Sequence, residues 1–181
     1  LTHRGACGCD PLTGDGAGIL IQTPHEFFAV AAPQAGIKLP AAGDWAVGNV
    51  FLPPSEDNRE AAEAFFEKVC REEGLDFLGW RTVPTDNSCI GGTARDVEPF
   101  IRQAFVGRGS KVSRDHFEWK LFVVRKRFGI EIGSLGLTEQ AFIYVCSLSA
   151  KTLVYKGLLL ADQVAKYFPD LRDPKLSSAL A

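Results

Sequence analysis

Apolar residues recur along this chain in two alternating rhythms, short near-continuous runs that suit strands and a three-to-four spacing that suits helices. Ile19-Leu20-Ile21 is the first strand-like run, closed by Thr23-Pro24. His25 to Ala32 then reads as a short helix, with Pro24 suited to its first turn and Pro33 expected to stop it. Trp45 to Leu52 (WAVGNVFL), ended by Pro53-Pro54, has the Val and Phe content of a buried strand. Ser55 is a candidate cap for the clearest helix, in which Ala62, Phe65, Phe66, Val69 and Cys70 recur before Gly74. Leu75 to Val83 returns as a strand. Such a strand, helix and strand favour one shared sheet and a right-handed crossover.

Residues 84–95 are turn-rich and read as a loop, and Glu98 to Val106 as another strand. The second long helix is expected from Arg114 to Phe128, capped by Ser113, striped by Phe117, Leu121, Val124 and Phe128, and ended at Gly129. Its basic triplet Arg125-Lys126-Arg127 falls where cations stabilise the negative end of a helix dipole, a plainer reading than nucleic-acid binding. Ala141 to Leu148 and Thr152 to Tyr155, joined by Ser149-Ala150-Lys151, suit a hairpin. Leu159 to Phe168 reads as a short helix stopped by Pro169, and the tail from Asp170 has little to bury and is expected to fray.

Composition narrows the possible functions. With 181 residues, 46% of them apolar, one ordinary domain is expected. Twenty basic against 22 acidic side chains argue against a nucleic-acid partner, which needs a surplus of cations on one face. No run approaches the roughly 18 apolar residues of a membrane span, and Leu1-Thr2-His3-Arg4 is followed by no secretory h-region. The chain contains no Met, which leads us to expect an internal piece of something longer. Five irregularly spaced cysteines (Cys7, Cys9, Cys70, Cys89, Cys146) suit a reducing compartment better than a disulfide framework, and they offer no zinc spacing. No metal is therefore expected.

The densest candidate chemistry lies before the first strand. Gly14-Asp15-Gly16-Ala17-Gly18 looks like a phosphate cradle, but a dinucleotide fingerprint has a strand before it and a helix after it, the reverse of the order here. Gly-Lys-Ser/Thr is absent, which removes a P-loop, and an EF-hand starting at Asp10 would put Ile21 where a bidentate carboxylate belongs. What remains is a loop in which Arg4, Asp10 and Asp15 surround small residues. Arg4 and a buried Asp15 could fix a polar site, or could form only an ion pair bracing a turn.

The run LTHRGACGCDPLTGDGAGILI from Leu1 to Ile21 resembles the segment shortly after the N-terminal cysteine in the glutamine amidotransferase domain of glutamate synthase large subunits. Further similar phrases follow in the family's order: Val47 to Pro53, Leu78 to Pro84, Val97-Glu98-Pro99 with Gln103, and Tyr144 to Gly157. The resemblance implies a class II amidotransferase of α+β class, a four-layer αββα N-terminal-nucleophile sandwich, partial here, with inserted strand–helix–strand elements. Residues 45–155 would be the family's insertion, contributing core and contacts to the rest of the subunit.

It also implies a chemistry. A terminal cysteine thiolate attacks the amide of glutamine with its own α-amino group as base, and a thioester forms as ammonia leaves. In the complete enzyme that ammonia is channelled to 2-oxoglutarate, and the imine is reduced through an iron–sulfur cluster and FMN. Neither cofactor is expected within these residues. The expected partners are glutamine, the other domains, and a small reductase subunit or ferredoxin; no nucleic acid or membrane is expected. The expected location is cytoplasmic, or plastid in a photosynthetic eukaryote.

Against the family pattern, the nucleophilic cysteine would lie upstream of Leu1, and the phrases that supply the oxyanion hole and the substrate-binding arginine would lie beyond Ala181. No catalytic residue is therefore assigned, and the isolated chain is expected to be inactive. His3, Arg4, Gly5, Asp15 and Gly16 match the motif lying against the nucleophile and are the candidate supports for it. Two rival readings remain: an α/β interaction or ligand-sensing module without the chemistry, and a thiol-redox protein using Cys7 and Cys9.

Overall fold

The computed structural model describes residues 10–179. In chain order the elements are β1 (Ala17–Gln22), α1 (His25–Gln34), β2 (Trp45–Leu52), α2 (Glu56–Glu72), β3 (Asp76–Thr82), α3 (Gly92–Asp96), β4 (Phe100–Gly107), α4 (Arg114–Glu131), β5 (Tyr144–Val145), β6 (Thr152–Gly157) and α5 (Val164–Tyr167). All strand pairing is antiparallel, in a four-stranded sheet ordered β3-β4-β2-β5 and a two-stranded sheet of β1 and β6. The class is α+β, as expected.

The larger sheet consists of two interlaced β–α–β units. β2 and β3 share the sheet, as the spacing predicted, but β4 lies between them; likewise β2 lies between β4 and β5. Alternation along β2 sorts its side chains to two faces. Ala46, Val50 and Leu52 join Ala104 and Val106 of β4 beneath α2 and α4, where Phe66, Val69, Phe117, Leu121, Val124 and Phe128 are buried. Trp45, Val47, Ile101 and Phe105 face the other way, onto Phe28 of α1 and onto Ile21, Leu153 and Tyr155 of the small sheet. A helix layer, a sheet and a second, smaller sheet are thus stacked in that order.

Several expectations are corrected. Residues 141–148 and 152–155 form no hairpin: β5 pairs with β2 whereas β6 pairs with β1, so Ser149-Ala150-Lys151 carries the chain from one sheet to the other. Glu118 holds that crossing by accepting hydrogen bonds from Ser149 Oγ at 3.1 Å and Ala150 N at 2.7 Å. Pro33 lies inside the last turn of α1, and the helix is stopped by Gly36 at φ +75°. α4 continues past Gly129 because Phe128 and Ile132 both remain anchored in the core, and a short 3-10 turn then ends at Gly136 at φ +63°.

Ser55 and Ser113 stand at the predicted N-cap positions, yet neither side chain accepts from a helix backbone N–H. Ser55 Oγ instead donates to Glu139 at 2.6 Å, and Ser113 Oγ is 2.8 Å from His116 Nδ1. Arg127 is held by carboxylates rather than by the dipole, with Glu72, Glu73 and Glu131 all within 2.8 Å of its guanidinium. Residues 84–95 are less irregular than expected, holding a 3-10 turn at Asn87–Cys89 and the start of α3.

Candidate functional site

The glycine-rich segment before β1 reaches its position through its own polar side chains. Asp10 accepts from Leu12 N at 3.0 Å, from Thr13 Oγ1 at 2.8 Å and from Thr93 N at 3.1 Å, while Thr13 Oγ1 accepts from Ala94 N at 3.2 Å. Asp10 and Thr13 therefore satisfy the free amides at the start of α3, where Gly91 has no side chain to do so. The Thr13 hydroxyl, helped by the Leu12 and Thr93 amides, holds the Asp10 carboxyl below its ordinary pKa.

Gln163 completes the clasp. Its Nε2 donates to Leu12 O at 3.0 Å and Cys89 O at 2.7 Å, and its Oε1 accepts from Leu160 N at 2.7 Å. This buried amide ties together three segments that are far apart in sequence. Sequence reasoning missed it, and a lone Gln beside Asp162 carries no pattern that would have singled it out.

Glycine is required where this segment meets the rest of the chain. A Cβ on Gly14 would enter the Leu159 backbone, and one on Gly18 would strike Tyr155 O and Lys156. The close approach expected of this cluster is thus backbone on backbone. It delivers Asp15 and Gly16 to the open end of the small sheet, beside a shallow groove lined by Gly16 to Leu20 with Val154, Lys156 and Gly157. Asp15 and Gly16 are exposed, so Asp15 is not the buried carboxylate the sequence suggested. His3, Arg4, Gly5, Cys7 and Cys9 lie outside the described residues.

Behind the small sheet is a buried polar network. Asn49, Gln103 and Arg81 sit side by side across β2, β4 and β3. Arg81 donates to both oxygens of Asp170 at 2.7 and 2.8 Å and to Gln103 Oε1 at 2.8 Å. Gln103 Nε2 donates to the Tyr155 hydroxyl at 3.0 Å, which donates to Asp170 Oδ2 at 3.1 Å, and Asn49 Nδ2 donates to Val154 O at 2.9 Å. Burial, reinforced by Asp170, pushes the Tyr155 phenol well above its ordinary pKa, so it remains a donor. The network corrects the expectation of a tail fraying from Asp170. That carboxylate is buried and its segment, Pro169–Arg172, forms a 3-10 turn.

A cavity of about 190 Å³ opens nearby, walled mainly by apolar side chains such as Phe51, Ile90, Ile101 and Leu159. Its two charged groups are already engaged, Glu98 by Asn87 and Tyr167 and Lys156 by the Tyr144 hydroxyl. Cys70 and Cys146 are buried, which pushes both thiols up to about 12, and burial also raises Cys89. Among the described residues no three His, Cys, Asp or Glu side chains converge as metal ligands, so these residues do not fit an iron–sulfur cluster. No described helix is long and apolar enough to cross a membrane.

The residues that clasp this loop come from the whole length of the chain, and so does its similarity to known proteins. Glutamate synthase [NADPH] large chain of Bacillus subtilis is 42% identical over 182 residues, covering 100% of this chain and 12% of that protein. Glutamate synthase [NADH] of Schizosaccharomyces pombe is 39% identical over 188 residues, with 100% and 9% covered. Ferredoxin-dependent glutamate synthase, chloroplastic, of Oryza sativa subsp. japonica is 36% identical over 181 residues, with 100% and 11% covered. The chain therefore spans about a tenth of the length of these relatives. The family model for class-II glutamine amidotransferases matches residues 1–181, and the chain belongs to that family.

Proposed function

We propose that residues 1–181 are part of the glutaminase domain of a glutamate synthase large subunit. The observation that carries this reading is the match of the whole chain both to the amidotransferase family and to glutamate synthases with three different electron donors in their names. In the intact protein a cysteine upstream of Leu1 attacks the side-chain amide of glutamine, ammonia leaves, and water releases glutamate from the thioester. The ammonia passes to a second domain that aminates 2-oxoglutarate. There FMN and an iron–sulfur cluster, held by residues outside this chain, supply the electrons, drawn from a reductase subunit or ferredoxin. The oxyanion hole is likewise supplied from outside residues 1–181, so this chain alone does not turn over glutamine.

This chain's own residues position the site. Asp10, Thr13 and Gln163 fix the glycine loop, Gly14 lets it lie against the Leu159 backbone just past β6, and Gly18 lets its end lie close on β6. Asp15 and Gly16 are thereby presented at an open groove, where with His3, Arg4 and Gly5 they support the nucleophile's segment. Residues 45–155 form the family's insertion, a reading supported by the interlaced β–α–β units that fill most of that span. The enzyme works in the cytoplasm, or in the plastid of a photosynthetic source.

The test is ammonia release from glutamine by the full-length polypeptide and by residues 1–181. Turnover by the first only, and its loss on replacing the upstream cysteine by alanine, is expected. Specific turnover by residues 1–181 would overturn the mechanism, and an inert full-length protein would favour a non-catalytic module.

A further inference from the structure

α4 is apolar on two opposite sides. Phe117, Leu121, Val124 and Phe128 are buried under the sheet. On the far side Trp119, Phe122, Lys126 and Ile130, spaced by three, four and four residues, form a second stripe facing solvent. Trp119 is 62% exposed, Phe122 48% and Ile130 78%. The two rings stack with centroids 5.8 Å apart, and the Lys126 ammonium lies 5.8 Å from the centre of the Phe122 ring. α2, the neighbouring helix, buries its apolar residues on one side only, with Glu56, Asp57, Glu60, Lys68 and Arg71 among the polar remainder.

Two further features point to something packed on this stripe. Gly129 adjoins it, and a Cβ there would meet no atom within 4 Å, so nothing in the described chain requires a glycine at that helical position. Glycine inside a helix is destabilising relative to alanine, and it is useful where another surface approaches closely. Charge gives the second feature. Lys120 and Arg127 of α4 are ion-paired to glutamates, whereas Arg125 and Lys126 have no carboxylate partner among the described residues.

We propose that the outer stripe of α4, from Trp119 to Ile130, seats a segment of the same polypeptide lying outside residues 1–181. That segment is apolar at its centre and presents a carboxylate to Arg125 or Lys126. The occupant follows from length, since about nine-tenths of each relative lies outside the matched region. The inference rests on the proposed membership of a long glutamate synthase chain. Aromatic residues and Arg are enriched at the centres of such interfaces, which suits Trp119 and Phe122 with Arg125 beside them, while Lys126 would sit toward the rim.

Hydroxyl-radical footprinting of the full-length polypeptide tests it. Trp119 and Phe122 are expected to react at least about tenfold more slowly than in the urea-unfolded chain, like the buried Trp45 and Phe117, because side chains at an interface core are as closely packed as an interior. Reaction at the rate of an exposed side chain would overturn the proposal. Protection that disappears on dilution would also overturn it, in favour of a second copy. In Gly129→Leu, whose new side chain would hold the segment off, Trp119 should lose its protection; retained protection would again overturn the proposal. Glutamine hydrolysis by the same sample separates the two readings: a protected stripe in an inert protein refutes the function and leaves the docking, and an exposed stripe in an active one does the reverse.

Discussion

The two faces of the four-stranded sheet are held by different forces. Beneath α2 and α4 the contacts are mainly apolar, with Phe66 against Phe77, Trp80 and Phe128 at ring separations of 6.3, 5.2 and 5.2 Å, and the polar exception is one ion pair from Arg102 of β4 to Glu63 of α2 at 2.9 Å. Beneath the small sheet the apolar core is interrupted by Asn49, Gln103, Tyr155, Arg81 and Asp170. Apolar packing is strong but has little direction, whereas a chain of hydrogen bonds admits one arrangement. The helix face thus supplies stability, and the polar face fixes where β6, and the glycine loop lying on it, must sit.

Asp170→Ala should break this arrangement most severely, because it leaves the largely buried Arg81 guanidinium without its counter-charge and the Tyr155 hydroxyl without its acceptor, with only Gln103 remaining to each among the described residues. A loss of about 3–5 kcal/mol in urea unfolding is expected. Phe66→Ala on the other face should destabilise by a similar or slightly smaller amount, about 3–4 kcal/mol, through a cavity. Amide exchange should tell the two apart. The first variant should expose residues 14–20 and 152–157 selectively, and the second should loosen α2 and α4. Arg81→Met combined with Asp170→Leu sharpens the contrast. Its stability should fall within about 1–2 kcal/mol of the parent, since burying charges is itself unfavourable. Protection of β6 should nevertheless drop, and a variant that kept full protection would show that the network does not set its position.

The helix face was far more legible in the sequence than the polar one. Trp45 to Leu52 is the strand the pattern predicted, and the stripe Phe117, Leu121, Val124, Phe128 is the buried face of α4, because a periodic run reports its own burial. The hairpin failed because Thr152 to Tyr155 has the composition of a strand but nothing in it names a partner, and β1 is more than a hundred residues away. Asp170 was misread for a related reason. A carboxylate near the end of the chain carries no local sign that Arg81 awaits it. At the glycine loop the sequence drew attention to Asp10 and Asp15 but not to their surroundings: Asp10 caps α3, and Asp15 is exposed rather than buried.

Alkaline titration probes both faces at a smaller scale. Burial holds the Cys70 and Cys146 thiols up at about 12, against the ordinary value of 9.0 for an exposed thiol. A raised pKa means that the folded state keeps its proton after the unfolded state has lost it. The stabilisation is therefore complete below about pH 9 and declines as pH rises toward 12. Tyr155, also raised by burial, acts with the same sign on the polar face. Cys70→Ala with Cys146→Ala should flatten the fall in stability above pH 9 without abolishing it, the remainder belonging to Tyr155→Phe; an unchanged slope would mean that the thiols ionise without penalty.

The smallest effect is expected at the rim of the helix face, where Arg127 bridges α4 to α2 through Glu72 and Glu73 and also contacts Glu131. Hydrogen bonds to Glu131, then Glu72 and Glu73, raise the guanidinium pKa, but the cluster lies at the surface and is partly open to solvent, where such pairs contribute little and are screened by salt. Arg127→Gln should therefore lower the unfolding midpoint slightly at low ionic strength, and the difference from the parent should vanish near 1 M salt, where the screening length is about 3 Å. The same salt series should leave the deficit of Asp170→Ala almost intact, because the Arg81 pair lies out of reach of counterions. Parallel salt responses at the two sites would erase the distinction between the faces, since both sets of charges would then be behaving as surface charges.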